Sequence, residues 1–242
     1  MKYMPLLLSF TFLFCSLNIQ ASTNYWVKHS GDRMNIIKEG NFTGNIDLQD
    51  LDDINHLFAI GPLEGLKGEI TINDSKPSIS TLTRDKKQKD VSNFKHRAIF
   101  LVYGSVKEWQ EIEIDKDLNS LNEIEQFVKE NAVSYNLPLN KAFPFKIEGV
   151  AEKITYHIIY KQDNKPHNKK EHQRSKIKFN KENESNTVIG FWSDAEGEGV
   201  YTHPNKRTHM HYISDTSKDS GHIDTIKLNS GAVLFIPKLD NQ

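Results

Sequence analysis

Apolar and polar positions alternate with different periods along the chain, and the first change comes at once. From Leu6 to Leu17 almost every residue is apolar; Lys2 precedes the run, and Ile19-Gln20-Ala21 follows it with a small residue suited to cleavage before Ser22. A span needs about 20 apolar residues, so this shorter run has the three-part form of a secretory signal instead. No later run of its kind occurs. Residues 1–21 are therefore expected to be a signal peptide. Residues 22–242 are expected to form one exported domain with no membrane span in the mature chain.

Within that domain the region from about Trp26 to Leu63 mixes short apolar runs with Gly40, Gly44 and Gly61 and shows no clean period, so only weak structure is expected there. Glu69-Ile70-Thr71-Ile72 alternates, and Asn73 to Pro77 is turn-like before Ser78-Ile79-Ser80, which predicts a hairpin. Residues 83–97 are polar and Lys-rich and read as a surface loop before a buried strand, Ala98 to Tyr103. Ser120 and Glu123 make a capping box, and Leu121, Ile124, Phe127 and Val128 recur at helical spacing up to about Tyr135. Ile154 to Tyr160 alternates as a strand with two unlike faces. Lys161 to Lys178, with seven Lys or Arg, reads as a solvated loop. Four more strands are expected at Thr187–Trp192, Thr208–Ile213, Ile223–Leu228 and Ala232–Ile236. The domain is thus mainly β, with a helix packed on it.

Composition narrows the function classes. The 37% hydrophobic and 10% aromatic content suits a folded globular domain. Lys+Arg 31 against Asp+Glu 32 carries no signature of a nucleic-acid or membrane-surface partner. The one cysteine, Cys15, lies in the segment expected to be removed, which excludes disulfides and thiolate ligands from the mature chain. A metal site must then be built from His, Asp or Glu.

Of ten histidines, four fall between His203 and His222. His209 and His211 lie two apart in Thr208-His209-Met210-His211-Tyr212-Ile213, whose composition favours a strand. Alternate strand residues share a face with Cα atoms about 6.6 Å apart, so two imidazoles can converge on one ion. A return strand after the turn-like Ser214 to Gly221 would bring His222 beside them. Three imidazoles on rigid strands suit a catalytic zinc site, which binds nitrogen at about 2.0–2.1 Å and keeps a fourth position open. Iron, nickel and copper accept the same ligands.

Further segments carry a family resemblance. Phe58 to Ile70, with Gly61-Pro62-Leu63-Glu64-Gly65 and Gly68-Glu69, resembles the Gly-Glu hairpin near the start of bacterial acetolactate decarboxylases. Val188-Ile189-Gly190-Phe191, Gly199-Val200, His209-Met210-His211, Ser214-Asp215 and Gly221-His222-Ile223-Asp224 resemble that family's C-terminal order and histidine spacing. The resemblance implies an α/β, mainly β, two-part assembly of mixed sheets with the metal between them, and a homodimer. It implies that His209, His211 and His222 hold Zn2+ and that Glu69 reaches the metal or its water. It also shows two departures. His157 stands where the family places a substrate-clamping Arg before a Lys-Gln pair, and no glutamate follows His222, where the family has one in its tail. Arg207, His203, Glu196 and Glu198 are the nearby candidates to compensate, with Arg207 the first of them. The implied activity is decarboxylation of 2-acetolactate, or a related 2-hydroxy-3-oxo acid, to an acetoin-type hydroxyketone. The alternatives are another metal-dependent enzyme on the same scaffold and an envelope metal-binding protein without turnover.

Overall fold

The computed structural model describes residues 24–34, 36, 40–165 and 168–239; the expected signal segment lies outside the described residues. In chain order the strands are β1 (Tyr25–Ser30), β2 (Ile46–Asp47), β3 (Leu57–Pro62), β4 (Glu69–Asn73), β5 (Lys76–Leu82), β6 (Gln88–Val91), β7 (Arg97–Ala98), β8 (Leu101–Val106) and β9 (Trp109–Glu113). Helix α1 (Leu121–Ser134) follows, then β10 (Phe143–Ile159), α2 (Lys169–Arg174), β11 (Lys176–Trp192), β12 (Thr208–Ser214), β13 (Ser220–Leu228) and β14 (Val233–Pro237). One six-stranded sheet has the order β1-β8-β3-β4-β5-β6. The second runs β11-β12-β13-β10-β14-β9, and β10 also pairs with β11, so four of its strands close on themselves. The mainly β, two-sheet architecture is as expected. Among the described residues its ladders, however, are all antiparallel rather than mixed.

The predicted hairpin forms as β4 and β5, joined by Asp74 and Ser75, both at positive φ, the backbone of the tight turn that matches strand twist. The predicted helix forms as well: the Ser120 side chain accepts from Glu123 N, and Glu123 Oε2 accepts from Asn119 N at 2.9 Å.

Other expectations change. Residues 26–63 hold β1, β2 and β3 instead of weak structure, because β3 is buried on both faces and shows no period of two. The loop at 83–97 contains β6, an edge strand paired with β5, and the expected strand at 98–103 is broken between β7 and β8. The loop at 161–178 holds α2 and the start of β11. That strand was hidden because its first ten residues are largely solvent-facing, and their polarity resembles a loop.

The two faces of the first sheet bury against different cores. Leu57 and Ala59 of β3 and Ile70 and Ile72 of β4 join one cluster, capped by Leu48 and Leu51. Phe58 and Ile60 face the opposite way and join the large core shared with the second sheet, where Phe143, Phe145, Val188, Phe191 and Tyr212 pack. It follows from the alternation that Glu69 and Thr71, out of phase with Ile70 and Ile72, point between the two sheets. Among the described residues no helix is long and apolar enough to cross a membrane.

Candidate metal centre

Register brings the histidines together. In the ladder of β12 with β13, His211 stands opposite His222, and in that of β13 with β10, His222 stands opposite His157. Directly opposite residues have Cβ atoms about 5 Å apart, so three neighbouring strands place three imidazoles in a row, and His209 adds a fourth from the same face of β12. Ring centroids lie 5.0 Å apart for His209–His211, 4.9 Å for His209–His222 and 5.3 Å for His211–His222. Gly221 lets the strands close: a Cβ there would lie 2.7 Å from the Tyr156 ring and 2.9 Å from the His157 carbonyl oxygen. Helix α1 anchors the start of β12, since Glu125 Oε2 accepts from the backbone N of Arg207 and Thr208 and from the Thr208 hydroxyl.

These donors fit a transition metal. One nitrogen from each of His209, His211 and His222 lies within 4.8 Å of the others, and His209 Nε2 is 3.0 Å from His222 Nδ1. Tetrahedral ligands about 2.05 Å from an ion would sit about 3.3 Å apart. His211 Nε2 is buried with no hydrogen-bond partner among the described residues, an uncommon condition for a buried polar atom. Burial, with neighbouring histidine charges, lowers His209 to about 3 and holds His211 and His222 well below their ordinary value. All three are therefore neutral near pH 7, the form in which imidazole ligates.

The first sheet supplies the opposing wall. Thr71 Oγ1 lies 3.1 Å from His211 Nδ1 and so orients that ring from outside the cluster. Glu69, 4% exposed, accepts from Ile159 N at 3.2 Å through Oε1. Its Oε2 is 3.8 Å from His211 Nε2, and its Oε1 is 3.9 Å from His157 Nε2. Burial outweighs the Ile159 hydrogen bond and the Lys176 charge and raises the Glu69 carboxyl to about 8. Gly68 permits the approach of this strand, because a Cβ there would stand 2.2 Å from the Ser80 carbonyl oxygen.

His157, 3% exposed, is brought to the cluster, its ring 4.6 Å from that of His222. Its Nδ1 donates to Asp224 Oδ1 at 2.9 Å, which leaves Nε2 as the acceptor nitrogen facing Glu69. Burial alone would raise Asp224, but His157 and Lys178, the latter at 3.1 Å, hold it at about 2. Asp224 lies two residues after His222 on the same strand face, and that i, i+2 spacing was the sequence signal for it.

The cluster opens into a cavity of about 300 Å³ bordered by Glu69, His157, His209 and His222. Arg33, Lys176 and His203 also line it. Arg207 does not: its guanidinium donates to the Leu139 carbonyl at 3.1 Å and lies over the Trp192 ring. Two residues ahead of His209 it shares that residue's strand phase, yet it precedes β12 and its side chain turns away. Glu196 and Glu198 are exposed, and Glu198 accepts from Asn205 N within its own loop. Arg33 and Lys176 were not among the expected site residues, because one lies in an aperiodic stretch and the other in an apparent loop.

The sequence profile of the alpha-acetolactate decarboxylase family matches residues 30–239. Among solved structures, the chain superposes on alpha-acetolactate decarboxylase from Bacillus subtilis strain 168 with a TM-score of 0.72 at 19% identity, covering 88% of this chain and 86% of that one. The acetolactate decarboxylase of Bacillus subtilis subspecies spizizenii gives 0.71 at 19% identity, covering 89% and 87%. A Staphylococcus aureus protein of unknown function, similar to alpha-acetolactate decarboxylase, gives 0.71 at 16%, covering 88% and 86%. No curated protein matches the chain.

Proposed function

The chain belongs to the alpha-acetolactate decarboxylase family, and from that premise we propose that it is a zinc-dependent lyase decarboxylating 2-acetolactate, or a closely related 2-hydroxy-3-oxo acid, to acetoin or its analogue. One observation carries the reading: three neutral imidazoles converge, one with a buried unpartnered nitrogen, on a face opposed by a buried glutamic acid. His209, His211 and His222 would hold the ion. When bound, it supplies Lewis acidity toward the substrate's ketone and hydroxyl oxygens, where negative charge gathers as carbon dioxide leaves.

The chain's own residues do the rest. Glu69, buried opposite the imidazoles, relays a proton to the carbon that loses carbon dioxide and recovers one from solvent. Ile159 N–H fixes that carboxyl in place. His157, its tautomer set by Asp224, turns Nε2 toward Glu69 and the cavity. The apolar walls at Ile36, Leu66 and Phe100 limit water around the reacting carbon.

The test is to load the purified protein with zinc, iron, nickel or copper in turn, add acetolactate, and assay acetoin. Formation of acetoin with the zinc form above all others supports the reading; none with any metal sinks it. The replacement of the family's Arg by His157 favours a second substrate in the same class, so longer-chain 2-hydroxy-3-oxo acids belong in that assay. We further propose export with cleavage beside Ala21 and a homodimer. A mature mass starting near Ser22 and the mass in light scattering are the respective checks.

A further inference from the structure

Two cations border the cavity without a carboxylate of their own. Arg33 follows β1; its backbone N donates to the Val200 carbonyl at 3.0 Å, and its Nη2 lies 3.2 Å from His203 Nδ1. Lys176 opens β11 opposite Ile159, the residue whose amide grips Glu69. Both side chains are half-buried and both line the cavity. Among the described residues neither forms an ion pair with a carboxylate. The acidic groups lining the cavity are engaged elsewhere: Asp224 by His157 and Lys178, Glu125 by the backbone N of Arg207 and Thr208, and Glu69 by Ile159 N.

Arg33 and Lys176 thus offer the cavity two cations that, among the described residues, have no carboxylate at ion-pair distance. Partial burial of two unpaired cations is costly and is offset only when an anion arrives. Burial lowers the pKa of each cation; Asp32 opposes this for Arg33, and Asp224 and Glu69 oppose it for Lys176, to which the charge of Arg33 adds a smaller lowering that sets the two cations near each other. The planar guanidinium can meet a carboxylate with two parallel hydrogen bonds, and the ammonium adds a point charge.

We propose that Arg33 and Lys176 jointly receive the substrate's carboxylate beside the three imidazoles, and so select 2-hydroxy acids over neutral hydroxyketones. The assignment rests on the reading of the cavity as a 2-hydroxy acid site. It also gives a direction to turnover: the ion pair holds the charged substrate and has nothing to hold once the carboxylate has left as carbon dioxide.

The test uses the metal-loaded chain with Arg33→Met and Lys176→Met, and Arg33→Lys and Lys176→Arg as charge-retaining controls of folding. Calorimetry measures binding of 2,3-dihydroxy-2-methylbutanoate, a reduced analogue that cannot decarboxylate by the same route, and of its uncharged amide. Each Met variant should bind the acid roughly 10- to 100-fold more weakly, the effect of losing one charged hydrogen bond. Amide binding and metal content should not change, the charge-retaining variants should recover part of the loss, and KM should rise more than kcat falls. Acid binding within about threefold of the wild type in both Met variants would overturn the proposal, as would equal losses for acid and amide, or a wild type that does not bind the acid. A wild type that binds the acid through these two residues yet forms no acetoin keeps the clamp and removes the decarboxylase reading. Acetoin formation untouched in both Met variants removes the clamp alone.

Discussion

Two polar clusters are buried between the same sheets, a few residues apart on the same strands, and they differ in what they leave unsatisfied. In one, Ser78, Ser80 and Asp90 of the first sheet meet Ser220 of β13. Ser78 Oγ donates to Ser220 Oγ at 2.9 Å, Ser80 donates to Asp90, and Gln88 Nε2 donates to Asp90 and to the Ser220 carbonyl at 3.0 Å each. Tyr156 completes it by donating to Gln88 Oε1 at 2.7 Å. Two residues further along β13, His222 begins the second cluster, where His211 Nε2 has no partner among the described residues and two ring nitrogens face each other. A network that closes on itself joins sheets; one that leaves inward-facing donor atoms open is arranged for a ligand.

The largest effect should come from breaking the open cluster. His211→Ala removes the proposed ligand at its buried centre, and metal affinity should fall by more than the roughly 10- to 100-fold that loss of a supporting hydrogen bond costs. Metal-to-protein ratios after dialysis measure this, and an unchanged ratio would exclude His211 as a ligand. Next is Glu69→Gln, which keeps the shape and removes the proton. Acetoin formation should drop roughly 100-fold or more while the metal stays bound.

A third outcome concerns pH and separates the clusters without abolishing either. Without metal, Glu69 titrates near 8 when folded against 4.5 ordinarily, so its contribution is complete below 4.5 and is lost as pH rises toward 8. His209 titrates near 3 against 6.5, and His211 and His222 shift the same way, so their contribution is complete above 6.5 and is lost as pH falls. Three histidines outweigh one glutamate between 4.5 and 6.5. The melting temperature of the metal-free protein should therefore peak near pH 6.5, and Glu69→Gln should flatten the alkaline side. The smallest effect belongs to the closed cluster: Ser80→Ala should cost about 1–2 kcal/mol in denaturant unfolding and leave metal content unchanged.

Local pattern was legible where one stretch of chain is sufficient. The capping box at Ser120 and Glu123, the β4–β5 hairpin and the His-x-His strand are set by neighbours a few residues apart, through periods of 3.6 and 2 and through turn chemistry. The spacing of His209, His211 and His222 along a strand and its return was legible for the same reason. Long-range register decided the rest. That His157 stands beside His222, and that Glu69, out of phase with Ile70 and Ile72, meets a second sheet instead of water, depends on β10, β13 and β4, which are far apart in sequence. Arg33 and Arg207 show the limit most plainly. Both are arginines just beyond the end of a strand, but a backbone hydrogen bond to Val200 accompanies one lining the cavity, and the Trp192 ring and Leu139 carbonyl hold the other away from it. Which of the two faces the imidazoles is settled by packing, because a side chain's direction beyond a strand's end is fixed by what it touches and not by the strand's period in the sequence.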